Sequence, residues 1–442
     1  KQQNMSIQVC AAAQSKPEII RRTANFPPSI WGDRFMNYDS QDIITNARNQ
    51  EEVEELKEVV RREVFTTSAG DFSHQLKLID AIQRLGVAYH FESEIEEALE
   101  RMHAAFHDHD FSDDGDLYNV ALGFRLLRQH GYKISCDVFN KFKDENGSFK
   151  ECLIVDVPGM LSLYEAGHLG IRGEEILDEA LAFTTTHLDS AAKAHLSYEH
   201  AEQITQALER PLRKDLERVC AGRYMSIYQD EASHNEPLLK LAKLDLILFS
   251  LFSKMSSVRL LTYILKLHIQ LMLLLIRWWK EVDFEKKLPF ARDRIVELYF
   301  WVVGVYFEPQ YVEARKFLTK VIALVSVMDD IYDAYATFEE LEIFTAAIER
   351  LYAQIFYRTL LNVVDEIEEE IAKDGRSYRV YYAKESLKAV ARAYFEEARW
   401  FNEGYTPTME EYLPAAIVST GYPMLSTVSL LGMGDIVNKG DI

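Results

Sequence analysis

The run VEARKFLTKVIALVSVMDDIYD, residues 312–333, decides how the chain is read. Apolar residues fall at helical spacing along it, and its middle part, VIALVSVM (321–328), is apolar on every face. That is the pattern of a helix buried all round. The same period recurs at 51–64, 93–106, 117–129 and 173–187, which predicts helices there too. Ser93 followed by Glu96 spells a capping box at the start of its helix. No stretch keeps the alternation of a strand, and Gly (19) and Pro (11) are sparse in 442 residues. The predicted fold class is all-α.

Working outward, the buried run ends on three carboxylates. Asp329 and Asp333 stand at i and i+4 on one helix face, with Asp330 about 100° round. Such an ending is electrostatically costly, because mutual repulsion and the negative end of the helix dipole both raise carboxyl pKa values. Cations relieve it. An all-oxygen donor set favours Mg²⁺, with Mn²⁺ as the alternative, and Mg²⁺ shares its shell with substrate phosphates. The plainer reading leaves the acidic run solvated, with Asp333 or Thr337 capping the next helix.

Upstream lie Arg292, Asp293, Arg294, Glu297 and Trp301. Pro289 suits the start of a helix. Arg294 and Trp301 are two turns apart on one face, and Arg292 would reach in from the helix start. Guanidinium forks match phosphate oxygens, and a buried Trp face stabilises a cation by about 0.5–2 kcal/mol. Taken singly, these residues read as readily as surface ion pairs and core packing. Together they describe one chemistry: carboxylate-bound metal and Arg draw a diphosphate off an allylic substrate, and an aromatic, water-free pocket shelters the carbocation.

Composition narrows the partners. Asp and Glu number 70 against 49 Lys and Arg, a net charge of −21, which repels nucleic-acid backbones and anionic lipid. With 48% apolar and 27% charged residues the chain can bury a large core. Cys10, Cys136, Cys152 and Cys220 are scattered without a CxxC pair, as in reduced intracellular proteins. Residues 246–276 are strongly apolar, yet Lys254, Arg259, Lys266 and His268 interrupt any membrane span. Met5 can serve as a start, and the stretch before Arg21 is too short for a transit peptide, so a cytoplasmic address is expected. Pro27–Pro28 belong to a non-helical arm, 1–32. Helical domains are expected over 33–240 and 241–442.

The chain resembles plant terpene synthases of the sesquiterpene type, the cadinene- and germacrene-like cyclases, over nearly its whole length. The blocks that carry this are RRTANFPPSIW (21–31), an RRx8W arm; the stretch from DLYNVALGFRLL to NGSF (116–149); RWWKEVDFEKKLPFARDRIVELYF and its continuation (277–311); and DDIYDAYATFEEL (329–341). The resemblance implies an N-terminal α-barrel, a relic without the DxDD motif, and a C-terminal class I helical bundle. It implies a Mg²⁺-dependent lyase that ionises farnesyl diphosphate and cyclises the cation to a hydrocarbon, working as a monomer. By the same resemblance Asp329, Asp330 and Asp333 would ligate metal. Arg292 and Arg294, with Asp329 and Asp333, would hold the diphosphate. Trp301 would line the cation pocket together with Ser419, Thr420, Gly421 and Tyr422, a helix break whose carbonyls steer the cation. Arg21, Arg22 and Trp31 would belong to a lid arm that excludes water.

A chain-elongating prenyl transferase would show a second DDxxD and a GGKR-like segment, and neither is present. A monoterpene synthase acting on geranyl diphosphate is the nearer alternative. Three departures from the family pattern support another, an inactive relative. Against the family pattern the chain is expected to be C-terminally truncated at Ile442, and no (N/D)Dxx(S/T)xxxE motif is found in it. Residues 246–276 read as an atypical insertion, and 348–361 as a shortened helix–loop segment. With one side of the metal grip missing, ionisation is expected to be slowed.

Overall fold

The computed structural model describes residues 24–31, 42–67, 71–107, 116–192, 198–231, 233–245, 269–350, 355–373, 375–438 and 440. Arg21, Arg22, most of the atypical insertion (246–268) and residues 351–354 lie outside them. Among the described residues every regular element is helical, apart from one isolated bridge between Lys143 and Phe149. None of these helices is long and apolar enough to cross a membrane. Cys136, Cys152 and Cys220 are free thiols.

The chain divides into two compact units, one formed by Asn37–Ile269 with Val303–Glu308, the other by the remainder. The boundary expected at 240/241 falls inside the helix Glu236–Asp245. Leu238, Leu239, Leu241 and Ala242 are buried on both sides of that point, so the helix stays whole within the first unit.

That unit carries α1 (Asp42–Val60), α2 (Phe72–Arg84), α3 (Glu92–His107), α4 (Leu117–Gln129), α5 (Val157–Gly167), α6 (Glu175–Ala192), α7 (Tyr198–Glu209), α8 (Glu217–Asp230) and α9 (Glu236–Asp245). Helix α4 packs on α5 and α5 on α6, while α2 lies against α4 and α8. Side-chain caps fix the starts of three of these helices. Asp71 accepts from His74 N–H, Asp116 from Tyr118 N–H and Asp156 from Gly159 N–H, each at 3.0 Å. The capping box expected at Ser93 does not form. Ile95 N–H bonds the carbonyl of fully buried Phe91, so the helix enters earlier and Ser93 lies inside its first turn.

The second unit carries α10 (Ile269–Val282), α11 (Phe284–Lys287), α12 (Ile295–Val305, whose last three residues fall to the first unit), α13 (Val312–Asp330), α14 (Phe338–Arg350), α15 (Ile355–Ala372), α16 (Tyr378–Glu403), α17 (Met409–Ser419) and α18 (Tyr422–Ser429). Helix α13 is its spine, with Val321, Ala323, Leu324, Val325, Val327 and Met328 all buried. It packs on α15 and α18, and α16 packs on α14, α17 and α18. The segment after α18 comes so close that a Cβ on Gly432 would stand 2.5 Å from Ala314 Cα, so only glycine fits there. Buried Arg379 donates to the carbonyls of Leu430, Leu431, Gly434 and Val437, holding that segment by its backbone. Pro289 does not start a helix. It sits in the irregular stretch before α12, whose first bond runs from Leu298 N–H to Arg294 carbonyl.

Candidate metal and diphosphate site

The spine helix delivers Asp329 and Asp330 at its end and then widens into a π-turn, Ile331–Tyr335, which carries Asp333. Widened turns of this kind are frequent at functional sites. Next comes Thr337, which caps α14 in a reciprocal box. Thr337 N–H donates to Glu340 at 3.0 Å, and Glu340 N–H to Thr337 Oγ1 at 3.4 Å. Capping is therefore Thr337's part and not that of Asp333.

Arg292 reaches the first two carboxylates from the loop before α12. Its main-chain N–H donates to Asp330 Oδ2 at 2.8 Å, and its Nη2 to Asp329 Oδ2 at 2.5 Å. Its Nε lies 2.7 Å from Asp330 Oδ1, close in charge but out of hydrogen-bond alignment. Asp330 is 1% exposed, so its Oδ1 is a buried oxygen with no hydrogen bond. The guanidinium also stands 4.8 Å above the ring of Phe26, on the arm ahead of buried Trp31.

Charge is unbalanced here. Partial burial pushes Asp333 up to about 6, helped by the neighbouring charges of Asp329 and Glu397. Burial also raises Asp330, against the pull of Arg292. Tyr394 on α16 hydrogen-bonds Asp329, and its hydroxyl is pushed up by burial and by the surrounding carboxylates. One turn on, Glu397 accepts from Ser419 Oγ at 2.7 Å. Ser419 ends α17, and Gly421 then turns the chain at φ +71° into α18. The helix break expected at Ser419–Tyr422 is present, and its hydroxyl reaches a carboxylate beside the acidic turn. Tyr394 and Glu397 escaped the sequence reading. Their i, i+3 spacing on a mainly polar helix was the one available signal.

Other expected residues stand apart. Arg294 precedes α12, donates to the carbonyl of neighbouring Asp293 at 3.3 Å and lies 3.9 Å from Glu297. The Trp301 face expected to be buried is 60% exposed. The buried side of α12 runs through Leu298, Tyr299, Val302 and Val303, and Trp301 falls on the other side with Val305. Thr420 and Tyr422 are exposed as well.

The donor set fits a hard divalent cation: three carboxylates, one bearing a buried oxygen without a hydrogen bond and one held well above the ordinary range. Among the described residues no three such groups already converge on a metal position. Arg292 holds Asp329 and Asp330, so its cation stands where a metal charge would act.

Residues 30–208 match the terpene synthase N-terminal domain, and residues 280–442 the terpene synthase family metal binding domain. The chain belongs to the terpene synthase family. It is 60% identical over 436 residues to a (-)-alpha-pinene synthase of Fragaria vesca, covering 96% of this chain and 75% of that one. To sesquiterpene synthase 2 of Toona sinensis it is 54% identical over 437 residues, covering 96% and 75%. Among solved structures it is similar to isoprene synthase from grey poplar leaves, in complex with three Mg²⁺ ions and dimethylallyl-S-thiolodiphosphate. That likeness has a TM-score of 0.79 and 34% identity, covering 91% of this chain and 76% of that one. This terpene synthase is thus an all-α lyase for prenyl diphosphates with a metal-binding domain.

Proposed function

We propose that this terpene synthase ionises farnesyl diphosphate with Mg²⁺ held by Asp329, Asp330 and Asp333, and cyclises the resulting allylic cation to a hydrocarbon. The observation that carries the reading is the acidic turn itself. Among the described residues four carboxylates, counting Glu397, face one guanidinium, that of Arg292. When bound, Mg²⁺ supplies the positive charge that draws off the diphosphate. Asp333 gives up its proton to take part. Arg292, freed from Asp329 and Asp330, turns its fork to diphosphate oxygens, and Arg294 adds a second from the same loop. Phe26 covers Arg292 and keeps water from it, with Arg21, Arg22 and Trp31 on the same arm. The carbonyls at Ser419–Tyr422 and the face of Trp301 steer the cation.

Incubation of the 442-residue chain with farnesyl diphosphate and Mg²⁺, followed by gas chromatography, tests this. A hydrocarbon peak that EDTA removes is expected, and no peak from a folded, Mg²⁺-saturated chain would overturn it. The 60% identity to a pinene synthase favours geranyl diphosphate as the second reading, and the ratio of kcat/KM for the two substrates separates them. On the farnesyl reading the enzyme works in the cytoplasm as a monomer, which a fluorescent fusion and light scattering would check.

A further inference from the structure

For Arg292 to leave Asp329 and Asp330 for diphosphate oxygens, its main chain must keep its place while the side chain changes partners. The loop that carries it, 288–294 between α11 and α12, belongs to no helix. Inside the loop one turn closes, from Ala291 N–H to the Leu288 carbonyl at 2.9 Å. Two further contacts fasten it to the acidic turn, and neither uses the guanidinium. Arg292 N–H donates to Asp330 Oδ2 at 2.8 Å. Two residues earlier the Phe290 ring lies face to face with the ring of Tyr335, centroids 3.7 Å apart and planes 9° from parallel.

Tyr335 is the last residue of the π-turn that carries Asp333, and Ala336 N–H closes that turn onto the Ile331 carbonyl at 3.1 Å. The stack therefore joins the Arg292 loop to the acidic turn itself. The two fastenings differ in kind. The bond to Asp330 depends on a carboxylate that the metal reading also claims. The ring stack carries no net charge and shares no atom with metal or diphosphate, so it stays available whichever partner the guanidinium has.

We propose that the Phe290–Tyr335 stack is a positioning strap: it holds the Arg292 loop against the acidic turn, so that the guanidinium exchanges carboxylates for diphosphate oxygens by a side-chain swing alone. The inference rests on the proposed diphosphate role of Arg292, and Phe290 and Tyr335 act through that residue.

Two measurements on the full chain test it: calorimetric titration with inorganic pyrophosphate at saturating Mg²⁺, and amide hydrogen exchange over 288–294 without metal. An aromatic pair of this kind is worth about threefold to tenfold in an equilibrium constant. Phe290→Ala and Tyr335→Ala should each weaken pyrophosphate by that factor and speed exchange of the loop to a similar degree. The double variant should bind no more weakly than the weaker single one, because the same contact is lost only once. Tyr335→Phe, which keeps the ring, should match the parent sequence in both measurements. Should Tyr335→Ala fail to fold, Phe290→Ala breaks the same stack from the loop side. Unchanged pyrophosphate affinity or unchanged loop exchange in folded Phe290→Ala overturns the strap. So do additive losses in the double variant, and so does Tyr335→Phe binding as weakly as Tyr335→Ala. Arg292→Gln tests the underlying reading separately and should weaken pyrophosphate more than any stack variant. If it binds as the parent does, the diphosphate role of Arg292 falls and the strap falls with it.

Discussion

Both units bury charge, and they do so in opposite ways. Around Asp80 and Glu165 in the first unit each deep carboxylate has a bond that answers it, to Arg125 or to Leu212 N–H. At the acidic turn of the second unit, Asp329, Asp330, Asp333 and Glu397 outnumber Arg292 among the described residues, and Asp333 is held at about 6 by burial, with the neighbouring carboxylates adding to it. The first arrangement serves the fold, because an answered ion pair is neutral toward its surroundings. The second keeps a deficit that only an incoming cation removes. Strongly perturbed groups of this kind gather at functional sites.

The contrast is open to several attacks. The largest effect is expected from Arg125→Met, which leaves Asp80 buried with only the more distant Arg84, 3.8 Å away, to answer it, and costs about 3–5 kcal/mol of stability, read from urea unfolding. Turnover per folded molecule should survive, and a loss of turnover would join the two clusters in function. Next come Asp329→Ala and Asp333→Ala. Each should lower turnover by about 10²–10³-fold with circular dichroism unchanged. Retained turnover in either would remove the metal assignment.

Acid titration sharpens the same point. The folded-state pKa of Asp333 is raised from 3.8 to about 6, so the folded chain binds its proton more tightly than the unfolded one. Its contribution to stability is therefore lost as pH rises through that window. Mg²⁺ needs the carboxylate free, so its affinity should rise about tenfold from pH 5 to pH 7 by calorimetry, and Asp333→Asn should flatten that slope. Ser419→Ala, which removes a hydroxyl bonded to Glu397, should cost only about 0.5–1.5 kcal/mol. Smallest of all, Trp301→Ala should leave Tm nearly unchanged, since the ring is 60% exposed. An altered product profile in that variant is the sign of contact with the cation.

Helix α13 and its three aspartates were legible because burial on every face and carboxylates at i, i+4 leave a local trace in sequence. The helix break was legible as a motif, and its glycine proves to be needed for a positive φ. What the sequence concealed is mostly long-range. Nothing local says that Tyr394 and Glu397 face the aspartates from α16, or that Arg292 turns back onto Asp329 and Asp330. Ser93 shows the reverse error. A good capping pair loses to Phe91, whose burial sets the start of the helix one turn's edge earlier. The exposure of Trp301 likewise depends on which side of α12 finds partners, which hydropathy alone does not tell.

Arg379 binds the end of the described chain through four carbonyl oxygens and no side chain. Carbonyls are the same in every residue, so the clasp reads the path of the chain and ignores its spelling. The course of Leu430 to Val437 past α13 is therefore set through its backbone, while its side-chain constraints fall on Gly432, where no Cβ fits, on Gly434, at φ +60°, and on buried Leu431 and Val437.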